Sequence, residues 1–321
     1  MIPVLPMADE PVLSQFGRWY QLNRISTVQD RMAALQAAST ERVGPRTAIP
    51  TVALAAHMSE MDMLTYVRMH TMLPFMAFRT DRHALDNPGW SAGTISTRGH
   101  LTPRSGVWLC PSCVKEDQAF WGFSFWRRAH QLPGVFWCEK HSGESLRRVA
   151  DKEPFLVSPW KCLVEGKTSA HTLPESVRDN ASVVMFNSAC QTMLDQGRIE
   201  GDSSAQKNLR ARAISLGLHV RASANSYLLS DLVVRNFPRE FLVQIMPALA
   251  SKSAGKYFAA IDDALWDQFI GGHALGNAFA FATLYPSIDQ ALSELSLNGK
   301  SAKGRSPNSA AVRSAESIRL A

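Results

Sequence analysis

Four residues with metal-binding side chains stand in two pairs near the middle of the chain. Cys110 and Cys113 form a C-x-x-C pair in WLCPSCVKED, and Cys138 and His141 form a C-x-x-H pair in FWCEKHSG. Zinc prefers four tetrahedral ligands drawn from cysteine and histidine, and each spacing lets a turn aim two ligands at one ion. The sequence therefore predicts a single structural Zn²⁺ bound by these four residues.

The same ligand set argues against catalysis at the metal. A catalytic zinc keeps an open position for water, whereas four protein ligands close the site. A nucleobase deaminase is excluded because Pro111 follows the first cysteine and the spacing of His57 and Glu60 is wrong. A zinc-stabilised nuclease would need His130, for which the sequence offers no convincing partner. His130 could also replace His141 as the fourth ligand. Alternatively, it is a structural histidine that lies beside the turns that carry the ligands. We expect no enzymatic activity.

Composition limits the environment of the protein. The chain has 321 residues, 45% of them apolar, which is enough to bury a core. We find no apolar run of about 20 residues that could span a bilayer, and no signal peptide in the N-terminal MIPVLPMADE. We therefore expect a cytoplasmic protein without a membrane partner. In a reducing compartment, spaced cysteine pairs favour metal binding over disulfides.

The first third of the chain is predicted to be helical. Val12, Phe16 and Trp19 repeat at the spacing of one helix face. The capping box at 26–29 predicts the start of a second helix, and Ser59 precedes an apolar segment that is expected to stop near Pro74. These helices must support the metal-binding segment that follows them.

Helical periodicity is poor between residues 106 and 150, where tryptophans are frequent, and it returns after about residue 175. A small aromatic subdomain of this kind is typical of a segment stabilised by a metal. We therefore predict a mainly α fold in four parts. They are an N-terminal helical region (1–105), a zinc-ribbon-like subdomain (106–150), a C-terminal helical region of helix-turn-helix type (151–295) and a disordered basic tail (296–321).

Positive charge is concentrated late in the chain. The net charge is +6, and the tail from residue 296 holds five basic residues against one acid. Residues 203–230 contain four basic residues and no acid. A capping box at 203–206, a C-cap glycine at Gly217 and helix starts at Ser226 and Pro238 are compatible with a helix-turn-helix unit. A further capping box at 287–290 predicts the start of a last helix. A basic helical unit of this kind favours DNA as a partner.

The candidate DNA contacts lie in two groups. The group in the helical unit consists of Lys207, Arg210, Arg212 and Arg221. The second group, Arg127 and Arg128, lies between the two metal-binding pairs, where both residues could instead pair with Glu116 and Asp117.

The residues around the predicted ligands resemble the TniQ/TnsD family of transposition target-selection proteins. The shared features are acidic residues after the first pair, an aromatic–Arg–Arg–x–His–Gln element, Pro-Gly-Val, and Cys-x-x-His followed by glycine and leucine. In this chain they are Cys110, Cys113, Glu116, Asp117, residues 126–131, Gly134, Cys138, His141, Gly143 and Leu146. The resemblance extends weakly over the helical first third and loosely to about residue 292. Because the chain is compact beside the longest members, we expect no large extra C-terminal targeting domain.

The resemblance implies a non-enzymatic adaptor in DNA transposition. Family members recognise a target either as DNA, through helix-turn-helix units, or through an RNA-guided CRISPR effector such as Cascade. They then recruit an AAA+ ATPase regulator, which passes the site to the transposase. Two copies sit head to tail on the effector in CRISPR-associated members, which would make this chain a homodimer. A zinc-containing sequence-specific DNA-binding regulator, with a defined operator and no ATPase partner, remains the alternative.

Overall fold

A computed structural model describes residues 2–38, 51–76, 104–149, 154–196, 204–221, 226–266 and 274–296. The basic tail predicted for residues 296–321 lies outside the described residues, apart from residue 296. The architecture is mainly helical with one small antiparallel sheet, so the predicted fold class is confirmed. No helix within these ranges is long and apolar enough to cross a membrane.

The elements are α1 (Val12–Leu22), α2 (Val28–Ala38), α3 (Thr51–Met58), α4 (Met63–His70), α5 (Leu73–Met76), β1 (Val107–Leu109), α6 (Pro111–Trp121), β2 (Arg147–Val149), α7 (Pro159–Val164), β3 (Thr168–Ala170), α8 (Glu175–Arg178), α9 (Ala181–Gln196), α10 (Ser204–Ser215), α11 (Leu229–Asn236), α12 (Arg239–Ile245), α13 (Pro247–Ala250), α14 (Ala259–Asp262), α15 (Ala274–Leu284) and α16 (Ile288–Ser296), with short 3₁₀ turns at Ala129–Gln131, Pro154–Leu156 and Asp263–Leu265.

The N-terminal helices share one apolar core. Val12, Phe16 and Trp19 are all buried on α1, as their spacing predicts, and they pack with residues of α3 and α4. Helix α2 begins one residue later than predicted, because the Thr27 hydroxyl accepts a hydrogen bond from the backbone N–H of Asp30 (3.0 Å). Burial of this apolar stripe is what orders α1, since a helix of this length is marginal on its own.

The apolar segment after Ser59 forms two helices, where one was predicted. Asp62 caps α4 by accepting a hydrogen bond from the Thr65 backbone (2.9 Å), so Ser59 is not the cap. Pro74 lies in the first turn of α5, where its missing N–H costs no helical hydrogen bond. The proline therefore helps to start a helix and does not mark the end of one.

A three-stranded antiparallel sheet in the order β1-β2-β3 forms the centre of the molecule. Val107 pairs with Val149, and Val149 pairs with Thr168. One apolar face of this sheet is buried against Trp126 and Phe155. Because β1 ends at the residue before Cys110, the sheet fixes the point from which the first metal-binding pair projects.

Helix α9 is the axis of the C-terminal core and packs against α15 and α5. Its Phe186 meets the ring of Phe279 at 4.5 Å and that of Phe241 at 5.6 Å. Gly134 packs so closely against the same cluster that a Cβ atom at this position would lie 2.6 Å from the Phe186 ring. Its φ of +78° also favours glycine. The loop between the two metal-binding pairs is thereby anchored to the C-terminal helices.

The helix signals of the C-terminal part are partly confirmed. Gly217 adopts a φ of +79° after α10, as expected of a C-cap glycine, and the Ser287 hydroxyl caps α16 through the Gln290 backbone (3.2 Å). The connection between α10 and α11, residues 216–228, is longer than the short turn of a helix-turn-helix unit. The short connection instead joins α11 to α12, so a helix-turn-helix unit in this region remains a prediction.

Candidate metal centre

The first pair of ligands lies at the start of helix α6, a helix that the poor periodicity of the sequence between residues 106 and 150 does not indicate. Cys110 is the N-cap residue, and its sulfur accepts a hydrogen bond from the backbone N–H of Cys113 (3.5 Å). Pro111 occupies the first turn, a position that suits its fixed φ and lack of an N–H. The N-terminal end of a helix also favours negative charge, which stabilises thiolates there. The proline between the cysteines thus serves the helix start.

The second pair of ligands lies in a tight turn. Trp137 bridges to Ser145, and the backbone N–H of Cys138 donates to the carbonyl of Glu144 (2.9 Å). Inside this turn the Cys138 sulfur accepts a hydrogen bond from the backbone of His141 (3.4 Å). Gly143 has a φ of +85°, which a residue with a side chain rarely adopts. The turn aims Cys138 and His141 at the same point.

The four ligand atoms have the spacing of a tetrahedral metal site. They all lie within 4.8 Å of one another, and among the described residues they form the one such cluster of metal-binding side chains. Zinc bonds of about 2.3 Å to sulfur and about 2.0 Å to nitrogen separate ligands by about 3.8 Å (S to S) and about 3.5 Å (S to N). The Cys113 and Cys138 sulfurs are 3.7 Å apart, and His141 Nδ1 lies 3.3–3.6 Å from the three sulfurs. These residues could therefore hold one metal ion.

Protonation of the sulfurs opposes metal binding. The pKa of Cys138 is lowered because its sulfur accepts hydrogen bonds from the thiols of Cys110 and Cys113. The pKa of Cys113 is raised by its hydrogen bonds with the sulfurs of Cys110 and Cys138, and burial adds to this effect. A metal binds cysteines as thiolates, so its binding would displace the thiol protons. Metal affinity should accordingly fall as the pH is lowered.

Glu116 orients the histidine ligand. Its carboxylate lies 2.8 Å from His141 Nε2 and also pairs with Lys140. The hydrogen bond with Glu116 raises the pKa of His141. Because Nε2–H donates to the carboxylate, Nδ1 is left to face the three sulfurs. Glu116 is positioned for this contact because it lies one helical turn after Cys113 on α6.

Asp117 and Arg127 form a two-pronged ion pair beside the ligands. The two guanidinium nitrogens of Arg127 donate to the two carboxylate oxygens of Asp117 at 2.8 and 2.7 Å. The pKa of Arg127 is raised, since burial is outweighed by the hydrogen bonds to Asp117. This ion pair connects the segment between the two metal-binding pairs to α6. It is the pairing with Asp117 that the sequence allowed for Arg127 as an alternative to DNA contact.

His130 and Gln131 hold the interior of the same segment. His130 Nε2 lies 3.7 Å from the Cys138 sulfur, outside the four-atom cluster. The Gln131 amide accepts from the backbone N–H of Trp108 and donates to its carbonyl, both at 2.9 Å. His130 is therefore a neighbour of one ligand, and Gln131 extends the edge of β1.

Arg128 connects the metal centre to the N-terminal helices. Its Nε donates to the Asp9 carboxylate at 3.0 Å, and its Nη1 donates to the carbonyls of Arg68 and Thr71. The residue is 6% exposed. A DNA contact by Arg127 or Arg128 would have to break ion pairs inside the protein, so both are weak candidates for that role. No sequence signal linked Asp9 to Arg128, because 118 residues separate them.

The basic candidates around α10 differ in their surroundings. Lys207 and Arg221 are exposed, and the Arg221 guanidinium lies over the Trp266 ring at 5.1 Å. Arg210 is half-buried. Arg212 is also half-buried, and its Nε donates to the carbonyl of Leu284 at the end of α15 (3.0 Å). Arg212 thus has a structural task, while Lys207 and Arg221 present their charge at the surface.

Residues 2–143 match the model of the TniQ family. The matched segment contains α1 to α6 and all four ligands of the candidate metal centre. The chain therefore carries a TniQ domain over these residues, and this domain belongs to the TniQ/TnsD family of transposition proteins. The resemblance seen in the sequence is confirmed. No curated protein matches the chain significantly.

Replacement of Glu116 tests the geometry of the centre. We expect Glu116→Gln to weaken Zn²⁺ binding about 10- to 100-fold, because the amide supports the His141 ring less well than the carboxylate. Zn²⁺ affinity is measured by competition with a chromophoric chelator. Glu139→Gln is the matched control, since Glu139 is exposed beside Cys138. Equal affinities of the two variants would contradict the assigned role of Glu116.

Proposed function

We propose that the protein is a non-enzymatic adaptor that selects target sites in DNA transposition. It recognises target DNA and recruits an AAA+ ATPase regulator, which in turn engages the transposase. The observation that carries the proposal is the TniQ domain over residues 2–143, which contains the complete candidate metal centre. Family membership supplies the transposition context, and the site chemistry argues for a structural role of the metal.

The metal of this proposal is one structural Zn²⁺ bound by Cys110, Cys113, Cys138 and His141. Three thiolates and one imidazole match the preference of zinc, and the ligand spacing fits its tetrahedral geometry. Four protein ligands leave no position for a water or a substrate, so the ion stabilises the fold and performs no chemistry.

The nuclease alternative is less well supported. A general base must reach a solvent nucleophile or a bound substrate. His130 is 7% exposed and lies against the Cys138 sulfur, a position better suited to supporting a ligand than to activating water. Cleavage of plasmid DNA in Mg²⁺ that His130→Ala abolishes would favour the nuclease and count against the adaptor.

In this proposal DNA is contacted through Lys207 and Arg221, with Arg210 and Arg212 behind them. The first two are exposed, and no acidic residue lies between 203 and 230. An effector-bound mode, in which a CRISPR complex such as Cascade presents the target and two copies of this chain bind head to tail, is the alternative route to the same adaptor role.

The adaptor role is tested by recruitment of the ATPase. We expect the zinc-loaded protein to bind the AAA+ regulator of the same transposable element and to increase its loading on duplex DNA. Binding is measured by biolayer interferometry, with an unrelated AAA+ ATPase as the control. Binding to a defined palindromic operator without any interaction with the regulator would instead support a transcriptional regulator.

The DNA contacts are tested by salt dependence. Each phosphate contact adds about 0.9 to the slope of log affinity against log salt. Lys207→Gln combined with Arg221→Gln should therefore flatten the slope by about 2. Lys161→Gln combined with Lys167→Gln is the control, because these exposed lysines lie elsewhere and face Glu165. An unchanged slope in the first variant would place the DNA contacts on another surface.

A further inference from the structure

A cavity of about 420 Å³ lies between the central sheet and the C-terminal helices. Trp108, Arg148 and Ser169 contribute one wall from the three strands, and Ile245 and Leu275 contribute the opposite wall from α12 and α15. Small-molecule sites commonly have volumes of about 300–1,000 Å³ and mix apolar walls with a few polar groups. None of the four candidate metal ligands lines this cavity.

The charged side chains in the lining of the cavity are basic. Arg104 and Arg148 both line it, together with His171, and no carboxylate occurs among the described residues of its lining. A cavity with one sign of charge and apolar walls concentrates the field and attracts a counter-ion. The expected ligand is therefore an anion.

Arg104 is held in place from two sides. Its guanidinium lies over the Trp108 ring, 3.8 Å from the ring centre, and its Nη1 donates to the carbonyls of Val135 (2.6 Å) and Leu132 (3.1 Å). The Arg104 guanidinium is therefore held in a fixed position in the lining of the cavity. Burial lowers the pKa of Arg104 to about 9, with a smaller contribution from the positive charge of Arg148.

Arg148 is positioned by the absence of a side chain at Gly106. A Cβ at Gly106 would lie 2.5 Å from Arg148 Nε, so the arginine occupies the space that a larger residue would fill. Its Nη2 donates to the Ser105 hydroxyl at 3.2 Å. The local backbone thus brings Arg148 into the same cavity as Arg104.

Two guanidinium groups that line one cavity repel each other, and a phosphate bound there would offset that repulsion with charge-assisted hydrogen bonds. The apolar walls at Ile245 and Leu275 suit the body of such a ligand. We propose that this cavity binds the phosphate group of a ligand of mononucleotide size, either a free nucleotide or the phosphorylated end of a nucleic-acid strand. The site is separate from the metal centre and from α10, so it stands independently of the proposed adaptor role.

Calorimetric titration of the zinc-loaded full chain tests the site. We expect AMP to bind and adenosine not to bind. Inorganic phosphate should compete with AMP, and a short single strand with and without a 5′-phosphate tests the second source. Arg148→Gln should weaken AMP binding about tenfold or more, because it removes one charged partner of the phosphate.

Arg147→Gln is the matched control for this titration. Arg147 is the preceding residue of β2 and is also exposed, but successive strand residues point to opposite faces and Arg147 does not line the cavity. A second variant, Ser169→Glu, places a negative charge on the exposed part of the wall and should abolish binding without involving either arginine.

Each result of these titrations either supports or overturns the proposed phosphate site. Binding of AMP alone would identify a free nucleotide as the ligand, and binding of the 5′-phosphorylated strand alone would identify a nucleic-acid end; either supports the proposal. Failure of AMP, phosphate and the phosphorylated strand to bind at about 10 mM would overturn it. Equal binding of adenosine and AMP, or equal losses in Arg147→Gln and Arg148→Gln, would also overturn it.

Discussion

Convergence of four ligands on one point is the constraint on which the centre of this protein depends. The two pairs are separated by 24 residues, yet their ligand atoms lie within 4.8 Å of one another. One pair begins a helix and the other closes a tight turn, so a metal bound there fixes α6 and that turn relative to each other. Because such a site exists only in the folded chain, the free energy of metal binding contributes directly to folding.

The residues between the two metal-binding pairs connect the candidate metal centre to the sheet, to α6 and to both helical regions. Trp126 fills the apolar face of the sheet, Arg127 ties the segment to α6, and Gln131 bonds to β1. Arg128 reaches the N-terminal helices through Asp9, and Gly134 meets the C-terminal core at Phe186. The residues between the two pairs, which carry the resemblance to the family, therefore connect the candidate metal centre to both helical regions.

Local chemistry was predictable from the sequence, and distant contacts were not. The four ligands, the apolar face of α1 and the cap of α16 follow from spacings of a few residues. Helix α6 escaped prediction because a cysteine sulfur, which is not a usual cap, takes the N-cap position before Pro111. The contact between Asp9 and Arg128 and the cavity around Arg148 depend on segments brought together only by folding. For the same reason the sequence could suggest basic residues near α10 but not that Arg212 bonds to the end of α15.

The central claim is that one metal ion is enclosed by three cysteines and one histidine with no open position. X-ray absorption spectroscopy of the zinc-loaded protein at its absorption edge measures the first coordination shell directly. We expect one ion per chain with three sulfur ligands at about 2.3 Å and one nitrogen at about 2.0 Å. A shell with an oxygen ligand from water, or with fewer than three sulfurs, would contradict the closed structural site and reopen the case for chemistry at the metal.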